Sequence, residues 1–433
     1  MIIRFFIYQR MLTQHYRNQI TELLHAEVKP AIGCTEPVSV ALAVAKATEI
    51  LGKTPEKIDV WLSANMLKNA MGVGIPGTGM VGLPIAIAMG ALVGKSEYGL
   101  EVLKDINPQN LETGKAIIAN KIISVHLKED IEEKLYVEVK VTAGTHQAIT
   151  IISREHARFS HLQFDDNILL QLTPDNQQIV QENEVKLSFH TVCKYALETP
   201  LHELRFIKES GELNKAAADE SIKGNYGHSV SLTLAKGMLG DNVYTRMLSV
   251  TTAACDARMA GAPFPVMSNS GSGNQGIAAT LPVTVFAEEH NKSEEELIRA
   301  LTLSHLMTIY IKQSLGRLSG LCGAVVAATG AACGITYLMG GTREQIGYSV
   351  KNMIANITGM ICDGAKPSCA LKVSNGVSSA TLSALMAIDN KVISAVEGIT
   401  DEDVDKTILN LTRIGRDGMQ ETDRMILEIM TSK

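Results

Sequence analysis

The amino-acid sequence predicts a mixed α+β fold: an N-terminal α/β half carrying an antiparallel meander, then a C-terminal half that is nearly all-α. Three observations lead there. Residues 116–165 are rich in β-branched side chains and partly alternate between apolar and polar. From about residue 185 onward, apolar residues recur at helical spacing between glycine breaks. Finally, the 433 residues are 45% hydrophobic yet include only 8 Phe, 10 Tyr and 1 Trp, against 35 Gly and 18 Met. Such a core packs small and aliphatic side chains between closely approaching backbones, which excludes a disordered chain, a collagen or a disulfide-stapled mini-protein. The length suffices to bury large cores without staples. The change of pattern sets a mixed domain at 1–185 and a helical domain at 186–433.

Taken in order, residues 1–10 imitate a signal peptide. Arg4 interrupts the apolar run, Arg10 ends it and no small-residue cleavage site follows, so export is not expected and Met11 is an alternative start. Residues 13–27 read as an amphipathic helix. A turn over 29–37 leads into a Val/Ala-rich helix ending near Leu51, with Thr35 or its neighbour as cap and Pro37 in the first turn. Residues 58–66 read as a strand, 69–82 are glycine-rich, and a small-residue helix runs to about Val93. The meander is expected from strands at 122–127, 135–141 and 147–152. Residues 166–185, rich in Gln and Asn, read as a linker. Helices are expected at 191–220, 229–260, 276–290, 293–312, 320–340, 343–358, 377–397 and 402–430. The stretch 318–341 has 24 residues without a charge, but its Gly, Ala, Ser and Thr content suits a buried helix rather than a membrane span.

Lys and Arg number 40 against 46 Asp and Glu, a net charge of −6, so no basic surface recommends nucleic acid as a partner. Seven cysteines make an odd set in a chain too large to need disulfides. They read as small buried hydrophobes or as thiolate ligands in a reducing, cytoplasmic setting. The Gly/Ala-rich helical half is compatible with a homodimer.

Two stretches match G-x-G-x-x-G. Gly72-Val73-Gly74-Ile75-Pro76-Gly77 has prolines that disturb the turn and helix a dinucleotide site needs, and Gly271-Ser272-Gly273-Asn274-Gln275-Gly276 follows Pro263-Phe264-Pro265 rather than a central strand. The second, with Ser268, Asn269 and Ser270 before it, instead offers backbone N–H groups and short polar side chains ahead of a helix. That is a general anion cradle, equally suited to a carboxylate or a phosphate. Ser270, Ser272 and Asn274 are its candidate binding side chains.

Cys322 and Cys333, on one helix, would lie about 16 Å apart, too far to share a site unless the helix breaks. Cys362 and Cys369 are joined by Asp363-Gly364-Ala365-Lys366-Pro367-Ser368, a loop that can fold both sulfurs to one point. With Cys322 they make three thiolate ligands, which suits a [4Fe–4S] cluster with one open iron or an open zinc site. Cys34 sits at a helix N-terminus, where partial positive charge lowers a thiol pKa, and is a candidate nucleophile or base. Glu36 is a cap or a binder of a substrate amine. Cys193, Cys255 and Cys333 read as core, His228 as a weaker loop candidate, and no pyridoxal phosphate lysine motif stands out.

Gly33-Cys34-Thr35-Glu36-Pro37, Ser270 through Gly276, Leu321-Cys322-Gly323-Ala324 and Cys362 through Cys369 together resemble the L-cysteine desulfidase family, of the iron–sulfur L-serine dehydratase superfamily in its alpha-chain-like branch. The resemblance runs from about Met11 to the end. It implies a [4Fe–4S] lyase that takes a small amino acid without pyridoxal phosphate. Its cluster ligands fall on Cys322, Cys362 and Cys369, and its proton acceptor on Cys34. The dehydratases carry a Ser/His-containing stretch at the early motif that this chain lacks, which favours cysteine over serine. An L-serine dehydratase, a non-enzymatic metal sensor and a nucleotide-binding protein are the alternatives.

Overall fold

Gly90 in the helix Leu83–Val93 sits so close to the carbonyl and Cα of Ala41 that a Cβ there would lie 2.6 Å from the Ala41 oxygen. Contacts of this kind, backbone against backbone, are what an aromatic-poor, glycine-rich sequence can build. The computed structural model describes residues 12–172 and 185–432. The expectations for residues 1–11 and most of the linker at 166–185 lie outside them.

The first half contains α1 (Gln14–Glu27), β1 (Pro30–Ile32), α2 (Thr35–Leu51), β2 (Lys57–Leu62), α3 (Ala64–Ala70), α4 (Leu83–Val93) and α5 (Pro108–Ala119). Then come β3 (Ile123–Leu127), β4 (Tyr136–Ala143), β5 (His146–Ser153), β6 (Phe159–Phe164) and β7 (Asn167–Gln171). They form a six-stranded sheet of order β3-β2-β4-β5-β6-β7. Val137, Val139, Val141 and Ala143 alternate inward on β4, and α2 crosses this face, with the Thr150 hydroxyl donating 2.9 Å to the Ala43 carbonyl.

Three expectations change here. The strands run antiparallel from β4 to β7, but β3 does not begin that meander: β2 lies between β3 and β4, and pairs parallel with β3. A helical crossover through α3, α4 and α5 separates β2 from β3, and a parallel neighbour needs such a long connection. The supposed linker begins with a strand, since Asn167–Gln171 completes a hairpin with β6. The strand expected at 58–66 also stops at Leu62, where Ser63 turns the chain into α3.

The second half is helical, as its spacing predicts. It comprises α6 (Phe189–Glu198), α7 (Leu201–Leu204), α8 (Lys208–Lys223), α9 (Val230–Leu234), α10 (Val243–Met259), α11 (Gly273–Glu289) and α12 (Glu294–Leu315). There follow α13 (Gly323–Leu338), α14 (Arg343–Ile357), α15 (Cys369–Ile388), α16 (Val404–Arg413) and α17 (Gln420–Thr431). The uncharged stretch becomes α13, packed closely on α12: a Cβ on Gly330 would overlap the Ser304 carbonyl. Among the described residues no helix is long and apolar enough to cross a membrane.

One buried cluster unites the sheet with α2 and α4, and a second unites the helical half. Helix α1 packs into the second through Ile20 and Leu24, although it precedes the sheet in sequence. The seam is stitched by β1 and β8 (Pro265–Met267), an antiparallel pair with Ala31 opposite Val266. Each of these short strands leads directly into a motif: β1 to Cys34, β8 to the Ser268–Gly276 loop.

Candidate active site

The turn after β1 ends in Gly33, whose φ of +73° is the left-handed region open to glycine and whose α-carbon lies against the Pro76 ring. Cys34 follows as the residue before α2, with no side-chain cap. Of Thr35 or its neighbour, expected at the cap, Cys34 takes the N-cap position, and Thr35 donates its hydroxyl 2.8 Å to the Gly271 carbonyl and 3.1 Å to Glu36 Oε2. This fastens the Cys34 turn to the glycine-rich loop from the other half.

Cys34 Sγ donates 2.9 Å to Glu36 Oε2, and Asn69 Nδ2 donates 3.0 Å to Glu36 Oε1. All three side chains are buried. The expectation that a helix N-terminus lowers the Cys34 pKa is overturned. Burial and the adjacent Glu36 carboxylate push it well up, against the pull of Arg258. A helix terminus contributes about 1 kcal/mol, whereas burial shifts a pKa by several units. Burial also works against ionised Glu36, but its electrostatic coupling to His156, the bonds from Cys34 and the backbone, and the Arg258 charge hold its carboxyl below the ordinary range. Cys34 and Glu36 are thus a thiol facing a carboxylate.

The glycine-rich loop is a tight turn. Asn269 and Ser272 exchange backbone hydrogen bonds at 3.1 and 3.0 Å across Ser270 and Gly271, both with positive φ. Ser270 Oγ donates to Asn269 Oδ1 at 2.8 Å, and Asn269 in turn donates 3.0 Å to His305 Nδ1. Gly276 lies against the Met267 carbonyl, where any side chain would overlap it. The first glycine motif likewise serves a close approach: Gly74 abuts Ala260 at the end of α10.

That end of α10 carries the residue the sequence reading missed. Arg258 is 3% exposed, donates 3.0 Å to Asn274 Oδ1 and leaves Nε without a partner. No carboxylate stands within ion-pair distance of it among the described residues. Its charge reaches both Cys34 and Glu36. Asn274, a candidate binding side chain, has its amide oxygen engaged by Arg258. His156 Nε2 and Gln275 Oε1 are likewise buried without partners. His156, from the β5–β6 connection, flanks Gly271 and is kept neutral by burial, its pKa lowered to about 4. An arginine and an aspartate in the small-residue run Thr251–Met259 were the available signal.

The three cysteines expected as ligands come together in the fold. Helix α13 starts directly after Cys322 and runs unbroken past Cys333, so those two cysteines stay three turns apart, as the spacing predicts. The segment before it pairs Leu321 with Ile361. Cys322 N donates 2.9 Å to the Met360 carbonyl and Cys362 N 2.8 Å to that of Gly320. In an antiparallel bridge these flanking residues leave the same face, so Cys322 and Cys362 are presented together. Gly364, with φ of +89° and pressed on the Lys68 carbonyl, folds the loop back to place Cys369 at the start of α15. Burial and the neighbouring Cys362 and Cys369 thiols push Cys322 up to about 12.

With Cys362 and Cys369 beside it, the buried Cys322 thiol needs a neighbouring cation to become a thiolate. Among the described residues no three His, Cys, Asp or Glu side chains are disposed to hold one metal ion. The donor set itself, three cysteine thiols, is one that an iron–sulfur cluster or a zinc ion takes. Asn69 ties the two groups together, because Cys362 Sγ donates 3.9 Å to the Oδ1 of the amide that binds Glu36. Cys193, Cys255 and Cys333 are buried in helices, as expected, although Cys255 lies within electrostatic reach of Cys369 and Cys322. His228 is exposed.

Residues 97–428 match the serine dehydratase alpha chain family. A UPF0597 protein of Parabacteroides distasonis is 61% identical over 424 residues, covering 96% of this chain and 98% of the relative. A UPF0597 protein of Bacteroides fragilis is 61% identical over 426 residues, 98% and 100% of the two chains. One of Oleidesulfovibrio alaskensis is 47% identical over 421 residues, 96% and 98%. The chain belongs to the serine dehydratase alpha chain family and, within it, stands with the UPF0597 proteins.

Proposed function

We propose that this serine dehydratase alpha chain family member is a cytoplasmic carbon–sulfur lyase that converts L-cysteine and water to pyruvate, ammonia and sulfide. The observation that carries the reading is the buried, unpaired Arg258 beside the Cys34–Glu36 pair. A guanidinium held away from water without a counter-ion is costly unless an anion arrives to meet it. An amino-acid carboxylate supplies that anion, and the backbone of the Ser270–Gly276 turn and the side chains there complete its seat.

The proton chemistry follows from the pair. Cys34 Sγ takes the Cα proton of the substrate as its own proton passes to Glu36 Oε2, 2.9 Å away. A thiol with a raised pKa makes a stronger base once deprotonated, and Glu36 offers the acceptor that makes this feasible. Asn69 orients Glu36 from the other side. Cys322, Cys362 and Cys369 would hold a [4Fe–4S] cluster, which when bound supplies an open iron as Lewis acid for the leaving sulfur. The resulting aminoacrylate tautomerises to an imine and hydrolyses, releasing pyruvate and ammonia.

The family's description favours a second reading, an L-serine dehydratase in which the same groups expel hydroxide. The absence of the Ser/His stretch at the early motif supports cysteine. Anaerobically reconstituted protein decides between them by pyruvate and sulfide release from L-cysteine and pyruvate from L-serine. Cys34→Ser should abolish turnover and retain the cluster absorbance, whereas Cys362→Ala should lose the cluster. Turnover of serine in preference to cysteine would establish the second reading, and metal binding without pyruvate from either would refute both.

A further inference from the structure

A cleft of about 550 Å³ opens between the sheet and the helical half. Its lining carries six cationic side chains and four carboxylates. Arg154, exposed on the rim, makes no side-chain hydrogen bond or ion pair among the described residues. Within the lining, Ser270 and Lys312 are buried and Arg317 is half-buried. Arg317 pairs with Glu27 at 2.6 Å and flanks Gly271 of the cradle, 3.3 Å from where a Cβ would stand. Lys312 is 6% exposed, and its ammonium donates 3.0 Å to the Arg317 carbonyl. Burial and Arg317 lower Lys312 to about 8, while Cys362, Glu27 and Cys322 pull the other way, which puts its charge within reach of the thiols. The loop itself makes the connection, since Arg317 is five residues before Cys322.

We propose that this cleft is the passage by which small monoanions move between solvent and the buried thiols, with Lys312 and Arg317 forming its charge-selective inner end. A carboxylate enters along a path whose positive groups become more buried inward, so each contact strengthens as water is excluded. Pyruvate and hydrosulfide, the small monoanions that the lyase reaction releases, leave by the same path. The roles of these ions rest on the lyase reading, whereas the selectivity for anions does not.

The test uses reduced, cluster-free protein and two alkylating agents that differ in charge, iodoacetate and iodoacetamide. Labelling of Cys322 and Cys362 is followed by peptide mass spectrometry. The iodoacetate-to-iodoacetamide rate ratio should exceed that of free cysteine and fall as KCl is raised. It should drop about fivefold or more in Lys312→Met, within the range of electrostatic steering, and be kept in Lys312→Arg. Arg154→Ser, an exposed change that spares the fold, should lower it about twofold. A ratio equal to that of free cysteine, or one unmoved by salt and by both charge removals, overturns the passage. Because the protein is cluster-free, a high ratio in an inactive lyase would sink the reaction and leave the passage standing.

Discussion

Arg258→Met should move stability and activity in opposite directions. In the ligand-free protein the guanidinium is 3% exposed, with one hydrogen bond, to Asn274, and an unpartnered Nε. Methionine has similar length and carries no charge into the interior. The change forfeits a charged hydrogen bond worth about 1.5–3 kcal/mol but removes a desolvation cost of several kcal/mol. The ligand-free variant should therefore be as stable as the parent or more stable by about 1–3 kcal/mol, read from its urea midpoint by circular dichroism. The bound carboxylate, in contrast, loses charge-assisted hydrogen bonds worth about 3 kcal/mol, a factor of roughly 100 in kcat/KM for L-cysteine. Arg258→Lys should restore little, because an ammonium lacks the planar fork. A variant destabilised by more than about 2 kcal/mol, with kcat/KM within tenfold of the parent, would show that Arg258 is a structural residue and refute its role as anion receptor.

Lys68, 1% exposed, donates 2.6 Å to Asp423 and 3.0 Å to the Cys362 carbonyl. Lys68→Met should cost about 3 kcal/mol by stranding the carboxylate, and adding Asp423→Leu should cost nothing further; additive losses in urea titrations would refute the pairing. Below pH 6.5 the unfolded chain protonates His156 and His305, whose folded pKa values are lowered to about 4 and about 3, chiefly by burial. Their contribution is intact above pH 6.5 and declines as the pH falls towards those values, so by pH 5 each should remove about 2 kcal/mol. Urea midpoints should fall between pH 7.5 and 5, and His305→Gln should reduce the drop; a flat profile in the parent would contradict buried neutral rings. Gly276→Ala should destabilise by at least about 2 kcal/mol, since its Cβ would overlap the Met267 carbonyl, whereas Gly359→Ala, with open space around it, should stay within about 0.5 kcal/mol.

Local pattern carried the sequence reading a long way. Helix α2, the strands β4 and β5 and most of the helical half were legible because each is written in a short stretch of hydrophobic period. The pairing of β2 with β3 was not, since the choice of sheet neighbour is made across sixty residues and three helices. The coming together of the thiols was legible in part. Gly364 and Pro367 promised a loop between Cys362 and Cys369, but nothing local told where Cys322 would stand. The Cys34 pKa was misjudged because only the helix terminus is visible in the sequence. The opposing burial, and the fact that Glu36 turns its carboxylate onto the thiol, belong to the packed structure. Arg258 was passed over because its isolation from carboxylates is a property of three dimensions.

What the fold adds is a mechanical coupling through α3, a seven-residue helix on the sheet side of the seam. Asn69 holds Glu36 with one end of its amide and meets Cys362 with the other. Lys68, one residue earlier, grips the Cys362 carbonyl and, through Asp423, α17. Glu36 and the thiols therefore do not float on separate cores whose spacing follows every motion of the seam. Both are referenced to one short rigid element, with the distance between them set by a single amide. That is also why α3 buries a lysine and two asparagines where a purely structural helix would place leucines: their polar atoms fix neighbouring segments that apolar packing alone would leave free to slide.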